Sequence, residues 1–474
     1  MNTTEFKHSL NDFSNCLNAL NGSFSPDSMS AQLFFGDEEL PDKIHIYFHE
    51  RFHYLQTIFT SYGHIKWGIN RSMTSDVIDD WLHLYKTNGK GILSAYYYLN
   101  NNKESNLQPL ADIFLKNYAR IMSNLSATHY LPDVYASHFD DVSKQLPKIE
   151  FNGNSIDLTD KFIFESFAKF EEALFRLAVN HTPIVETINP DTLNPEYYLL
   201  IQYFVSKIGP SRMLEFPAIC EIALNIQHIP RPDNIKDNHP GSRFLKIIDF
   251  LQNNPDIVLS SLTDDDAFLT YTNSIYTGCG FAHWDEIWKE SIEYASMTDL
   301  TLSKEMLKAI NFKINNPRAL SYALFDNDIF NSEEFMSFHP LFIITNDGII
   351  YNLANISIPE FAFECHFQAL AYQIIGIHSK RCIYPDMLQC GYSYYGINEC
   401  KYYKEGLCDG HVDCKSKLLD LEISNGQLIN GCGFEFFLRV LGCSVKDIEV
   451  INTGKQIIFD DIKEAIHRIN KQDN

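Results

Sequence analysis

Over the first 330 residues, apolar positions recur mostly at helical rather than strand spacing. Residues 41–62 open with Pro41 and Asp42 and run apolar without a breaker to Gly63, which predicts a helix with a glycine stop. Residues 111–125 and 159–180 repeat that character. In the second, Asp157 or Thr159 is the candidate N-cap ahead of FIFESFAKFEEALFRLAV. Residues 215–227 and 242–252 are further predicted helices. Between them IPRPDNIKDNHPGS is rich in Pro, Asn, Asp and Gly, which predicts a loop. Ahead of the first helix, residues 31–35 read as a short strand ended by Gly36 and Asp37.

The texture changes near residue 338. LFIITNDGIIYNL is two β-rich runs joined by Asn346, Asp347 and Gly348, a hairpin signal. A predicted helix at 359–375, a cysteine-dense stretch and a mixed tail with a helix near 460–470 follow. The expected fold class is mainly α (α+β). A mostly helical domain over 1–338 carries a short sheet, and a smaller α/β region spans 339–474.

Composition narrows the classes of function. Of 474 residues, 45% are apolar and 14% aromatic, enough for a large core. Lys and Arg number 38 against 61 Asp and Glu, a net charge of −23 that argues against coating nucleic acid or anionic lipid. The N-terminal MNTTEFKHSLNDFSNCLNALNGSF lacks a basic segment leading into an apolar one, and no apolar run approaches the roughly 18 residues that cross a bilayer. A soluble, cytoplasmic protein is expected, with no membrane and no nucleic-acid partner.

The most informative residues are His49, Glu50, Arg51, Phe52 and His53. Residues four apart share a helix face, so both imidazoles can point at one ion with Glu50 beside them. A catalytic zinc takes three protein ligands and keeps a position open for water. The metal lowers that water's pKa, and a neighbouring carboxylate can take its proton. Chance would supply HExxH roughly 0.04 times in a chain of this length and histidine content. The flanking IHIYFHERFHYLQTIF is apolar on nearly every side, so these polar groups need buried partners. The alternatives are a solvent-facing His–Glu stripe, or core histidines bonded to backbone carbonyls. His45 extends the stripe, but three histidines spaced four apart cannot all converge on one tetrahedral ion, so His45 reads as a supporting or packed residue.

HERFH on a helix preceded by a short strand resembles the zincin superfamily of zinc metallopeptidases. The sequence departs from the metzincin pattern, because Phe59 stands where that group has a third histidine. The resemblance therefore implies a helical zincin-like catalytic domain of gluzincin type, with a third ligand Glu from a downstream helix. Glu165 in FIFESFAKFEEALF is the first candidate: Glu165, Ala168 and Glu172 share one face, with the small Ala168 leaving room for an opposing helix. Glu172 would then hold a ligand histidine through its other ring nitrogen. Gluzincins often carry an acid four residues after the ligand; here that residue is Lys169, and the long separation from His53 would require an inserted helical subdomain. Glu172, Glu171, Glu221 and Glu364 are the other candidates, and surface salt bridges such as Glu172 with Arg176 are the competing reading. An oxyanion-stabilising Tyr, His or Arg is also needed. With 25 Tyr and 17 His the sequence does not choose, and Arg243 and His239 stand as possible substrate contacts.

A second constellation is Cys390, Cys400, Cys408 and Cys414, with Cys382 ahead and His411 within. Four thiolates among tight glycine turns can close a structural zinc site, or hold an iron–sulfur cluster. Independent free thiols are the plain alternative.

These readings lead to an expected zinc-dependent hydrolase, a cytoplasmic metallopeptidase with a protein or peptide substrate. His49, His53 and Glu165 would bind zinc and Glu50 would act as general base. The alternatives are a metallohydrolase of a non-peptide amide or ester, and a non-catalytic, metal-stabilised binding or scaffold protein.

Overall fold

The computed structural model describes residues 22–25, 29–33, 43–88, 91–93, 147–151, 153–189, 194–227, 239–296, 301–340, 342–345, 350–352, 422–424, 427–430, 440–443 and 448–450. Helix dominates them, giving a mainly α architecture. The expected helices at 111–125, 359–375 and 460–470, Glu364 and the cysteine cluster Cys390, Cys400, Cys408 and Cys414 lie outside the described residues. No described helix is long and apolar enough to cross a membrane.

Strand β1 (Gly22–Ser25) pairs antiparallel with β2 (Ser30–Leu33), followed by helix α1 (Ile44–Phe59). This helix contains no Gly or Pro and is buried almost all round, from Phe48 to Phe59, which makes it a central rod rather than an amphipathic surface helix. It ends at Thr60, whose backbone is extended at φ −127° and ψ 143°. The Thr60 hydroxyl donates to the Gln56 carbonyl at 2.6 Å and accepts from the Gly63 amide at 3.0 Å, capping helix α2 (Ser61–Asn88). Gly63 is therefore not the expected stop. It lies in the first turn of α2, where a Cβ would collide with the Thr57 carbonyl. The glycine serves a close backbone approach, and the break belongs to the capping threonine.

Strand β3 (Gly91–Leu93) and the hairpin of β4 (Lys148–Phe151) with β5 (Asn154–Asp157) lead to α3 (Asp160–Asn180). Helix α3 closes on His181 in the left-handed region at φ 57°, its amide bonded to the Leu177 carbonyl at 3.1 Å. It packs against α1 through aromatic pairs: Phe48 stacks on Phe175 at 4.4 Å between centroids, and Phe52 meets Phe167 edge-on at 4.8 Å. Helix α4 (Pro195–Ile208) lies along α3. The remaining core helices are α5 (Phe216–Leu224), α6 (Pro240–Asn253), α7 (Asp265–Cys279), α8 (Trp284–Ser296) and α9 (Thr301–Asn315).

Strands β6 (Phe342–Thr345) and β7 (Ile350–Asn352) pair antiparallel, as the hairpin signal predicted. Strand β6 runs parallel to β2, giving a sheet of order β1-β2-β6-β7 with strands from both sides of residue 338. Leu33 and Ile343 of the sheet pack on Ile46 and Tyr47 of α1. Arg51, buried within the HExxH motif, donates from Nε to the Phe338 carbonyl and from a terminal nitrogen to the Phe335 carbonyl, each at 2.9 Å. That clamp fixes the motif helix against the segment leading into β6.

Candidate metal centre

The imidazoles of His49 and His53 point the same way, and Glu165 reaches them from α3. His49 Nε2 lies 3.2 Å from His53 Nε2 and 3.4 Å from Glu165 Oε2, and His53 Nε2 lies 3.3 Å from that same oxygen. Zinc held by bonds of roughly 2.0–2.1 Å in a tetrahedron spaces its ligand atoms about 3.3 Å apart. All three edges of this triangle match that spacing. The contacts of His49 Nε2 with His53 and Glu165 are also within hydrogen-bond reach, so the same triangle accommodates either an ion or a proton on His49. Among the described residues, His49, His53 and Glu165 form the group of donors able to hold an ion. Their chemistry, two imidazoles and a carboxylate, fits zinc.

The other nitrogen of His53 is hydrogen-bonded, and that of His49 faces a carboxylate. His53 Nδ1 lies 2.8 Å from Gln56 Oε1, and Gln56 Nε2 donates to the Phe164 carbonyl at 3.0 Å, one residue before Glu165. One amide thus sets the His53 tautomer and ties it to the helix that supplies the third donor. His49 Nδ1 lies 3.3 Å from Glu172 Oε2. Lys169 donates to both Glu172 oxygens at 2.8 and 2.9 Å, and Arg176 stands 3.8 Å away. Lys169 therefore steadies the acid one turn further along. Burial alone would lower the His49 pKa, but Glu165, Glu172 and Glu50 outweigh it and raise it to about 10. Without a metal, an imidazolium occupies the centre. Burial would raise Glu172, yet His49 and Lys169 bring it down to about 2, and His53 and His49 hold Glu165 well below the ordinary carboxylate range against its burial.

Glu50 is buried beside the triangle, 6% exposed. Burial raises its pKa, with His49 and His53 opposing. Among the described residues its carboxylate makes no protein hydrogen bond. Strand β1 passes so close that a Cβ on Gly22 would lie 2.8 Å from Glu50 Oε1. On another side, the Tyr197 ring meets His49 at 5.9 Å between centroids and 63°. Burial and the carboxylates of Glu165, Glu196, Glu50 and Glu172 raise its phenol pKa.

The other candidates have different work. His45 lies outside the donor group, and burial lowers its pKa. Glu221 is paired with Lys313 at 2.7 Å and accepts from Ser321 at 2.6 Å. Burial and Glu221 raise the pKa of Glu171. Neither reaches the histidines. Arg243 is buried, donating to the Ile222 and Asn225 carbonyls at 3.0 and 2.9 Å over the Phe281 ring, so it is a core residue and not a substrate contact. His239 is buried too, capping α6 by accepting from the Gly241 amide at 3.1 Å. Gln56 and Tyr197 were missed in the sequence. For Gln56 the signal was there, a lone amide in YLQTIF one turn beyond His53; for Tyr197, one tyrosine of 25, there was none.

Compared with known proteins, the chain matches no family model, no curated protein and no solved structure.

Proposed function

We propose that this protein is a zinc-dependent hydrolase acting on peptide bonds, with His49, His53 and Glu165 as metal ligands and Glu50 as general base. The observation that carries the reading is the triangle of donor atoms with edges of 3.2, 3.3 and 3.4 Å. A zinc ion there would supply Lewis acidity, polarising a carbonyl and making a water acidic near neutral pH. Glu50, its proton affinity raised by burial, takes a proton from the attacking water and delivers it to the leaving nitrogen as the C–N bond breaks. Gln56 and Glu172 hold the two rings with their Nε2 lone pairs inward. β1 is the outer strand of the sheet as described and passes beside Glu50, and an outer strand is a place where an extended substrate could pair. That placement favours a peptide over a small amide or ester.

One observation favours a second reading. The two ring nitrogens of His49 lie 3.4 and 3.3 Å from Glu165 and Glu172, so an imidazolium there would balance the cluster without metal, as a non-catalytic scaffold would require. Glu50→Gln separates the two. The hydrolase reading expects zinc retained and cleavage of a quenched-fluorescent peptide library reduced by about 10²–10⁴-fold. Equal cleavage by both proteins, or none by the zinc-loaded wild type, would remove it.

A further inference from the structure

We infer that Arg51 is a positioning residue for Glu50, holding the β1 backbone over that carboxylate by fixing where β6 begins. The inference rests on the hydrolase reading above and concerns how its general base is kept in place.

Arg51 is 6% exposed, and among the described residues it has no acid to pair with. A buried guanidinium charge is costly unless its donors are taken up. Here they go to the main chain: Nε donates to the Phe338 carbonyl and a terminal nitrogen to the Phe335 carbonyl, with the Phe335 ring 5.1 Å from the guanidinium carbon. Both carbonyls lie at the C-terminal end of the short helix Glu333–Ser337. A planar fork that grips two carbonyls at once fixes the direction in which the chain leaves that helix. Phe338 also meets Phe59 edge-on at 5.0 Å, so the segment is held at two places on α1, about two turns apart.

The chain then enters β6, which runs parallel to β2 with Ile343 opposite Ala31 and Thr345 opposite Leu33. Leu33 is in turn paired with Gly22 of β1. Leu33 and Ile343 rest on Ile46 and Tyr47, and a Cβ on Gly22 would lie 2.8 Å from Glu50 Oε1 and 3.1 Å from Ile46 Cγ2. The path leaves α1 at Arg51, crosses the sheet and returns to α1 at the preceding residue. The closeness of β1 limits the reach of the Glu50 carboxylate on that side. Helix α1 therefore has two working faces. His49 and His53 turn to α3, with Glu172 and Gln56 beside them, whereas Glu50 is confined from the sheet side. Loss of Arg51 acts on the base and spares the metal donors.

The test compares zinc-loaded wild type, Arg51→Met, Arg51→Lys and Glu50→Gln on the best-cleaved member of a peptide library. Gly22→Ala is added alone and in both Arg51 backgrounds. Zinc affinity is read by chelator competition, and backbone opening by hydrogen–deuterium exchange. The methionine keeps an apolar stem and loses every donor; the lysine keeps the charge but not the fork. For Arg51→Met, kcat should fall about 10–10²-fold, with KM and zinc affinity within about threefold of wild type. Exchange should quicken in β1, β2 and β6, and Arg51→Lys should fall between the two. The decisive readout is coupling, because a merely destabilised protein would lose kcat without regard to position 22. Gly22→Ala, costing several-fold in the wild-type background, should cost less than about twofold once Arg51 is gone. Wild-type kcat in Arg51→Met beside an inactive Glu50→Gln overturns the assignment and leaves the hydrolase reading standing. An equal cost of Gly22→Ala in both backgrounds overturns it too, as does a loss of kcat that tracks lost zinc. Should Arg51→Met not fold, Arg51→Lys with and without Gly22→Ala is judged by the same criteria. If zinc-loaded wild type cleaves nothing in the library, reading and assignment fall together.

Discussion

His49 and His64 lie on successive helices of the same core, 7% and 0% exposed, yet their surroundings are opposite. The ring nitrogens of His49 face Glu165, Glu172 and a second imidazole. His64 Nε2 donates to the Ile58 carbonyl at 2.7 Å, and burial lowers its pKa to about 4. His239, capping α6, is also brought to about 4 by burial. Burial of a histidine therefore says little by itself. What separates a candidate ligand from a core residue is whether one of its ring nitrogens converges with other donor atoms or instead pairs with a backbone group. The same contrast separates the acids of α3 and α5. Glu165 and Glu172 meet histidines, whereas the core acid Glu221 of α5 already has the Lys313 ammonium as its cation.

Protonation is the strongest way to break this comparison, because the two kinds of histidine carry opposite signs. For His64 and His239 the folded pKa lies below the unfolded 6.5, so the unfolded chain binds more protons between pH 6.5 and 4 and stability is lost as pH falls through that window. Each contributes on the order of 3 kcal/mol at pH 4. In metal-free protein His49 has its folded pKa raised to about 10, so its contribution is full below pH 6.5 and disappears as pH rises toward 10. Urea denaturation of chelator-treated protein should show loss on both flanks, and His64→Gln should flatten the acid one. An acid flank unchanged by His64→Gln would contradict the structural role of that residue.

Removing a donor comes next. Glu165→Ala should weaken zinc binding by more than the roughly 10–100-fold expected of a residue that only orients a ligand. Gln56→Ala and Glu172→Gln should fall within that 10–100-fold range, and His64→Gln should leave zinc affinity untouched. Chelator competition orders the four variants, and equal effects from Glu165→Ala and Gln56→Ala would blur ligand and support. The smallest effect belongs to Gly22→Ala. The added methyl must displace the Glu50 carboxylate, lowering kcat several-fold with zinc affinity unchanged. Full activity there would mean that β1 does not confine Glu50.

The centre was partly legible in the sequence because its spacing and helix geometry coincide. His49 and His53 lie one turn apart, with Glu50 between them, on a helix without breakers, and Glu165 with Glu172 share a face of a second apolar helix. Lys169 lies on that same helix, where it bonds Glu172. Gln56 and Tyr197 depend on how α1, α3 and α4 meet, which no local pattern encodes. The end of α1 was misread for a physical reason: glycine at position 63 suggested a helix stop, but it permits close packing, while the capping hydroxyl of Thr60 makes the break. The thiol-dense segment around Cys390–Cys414 remains a sequence-level proposal of a second metal site.

Metal content tests the central claim most directly. Purified wild type and the His49→Ala/His53→Ala double variant, both loaded with zinc and dialysed, are compared by elemental analysis with folding checked by circular dichroism. The account predicts that the folded variant holds one equivalent of zinc less than wild type, whatever the cysteine segment retains. Identical zinc content in two folded proteins would contradict it.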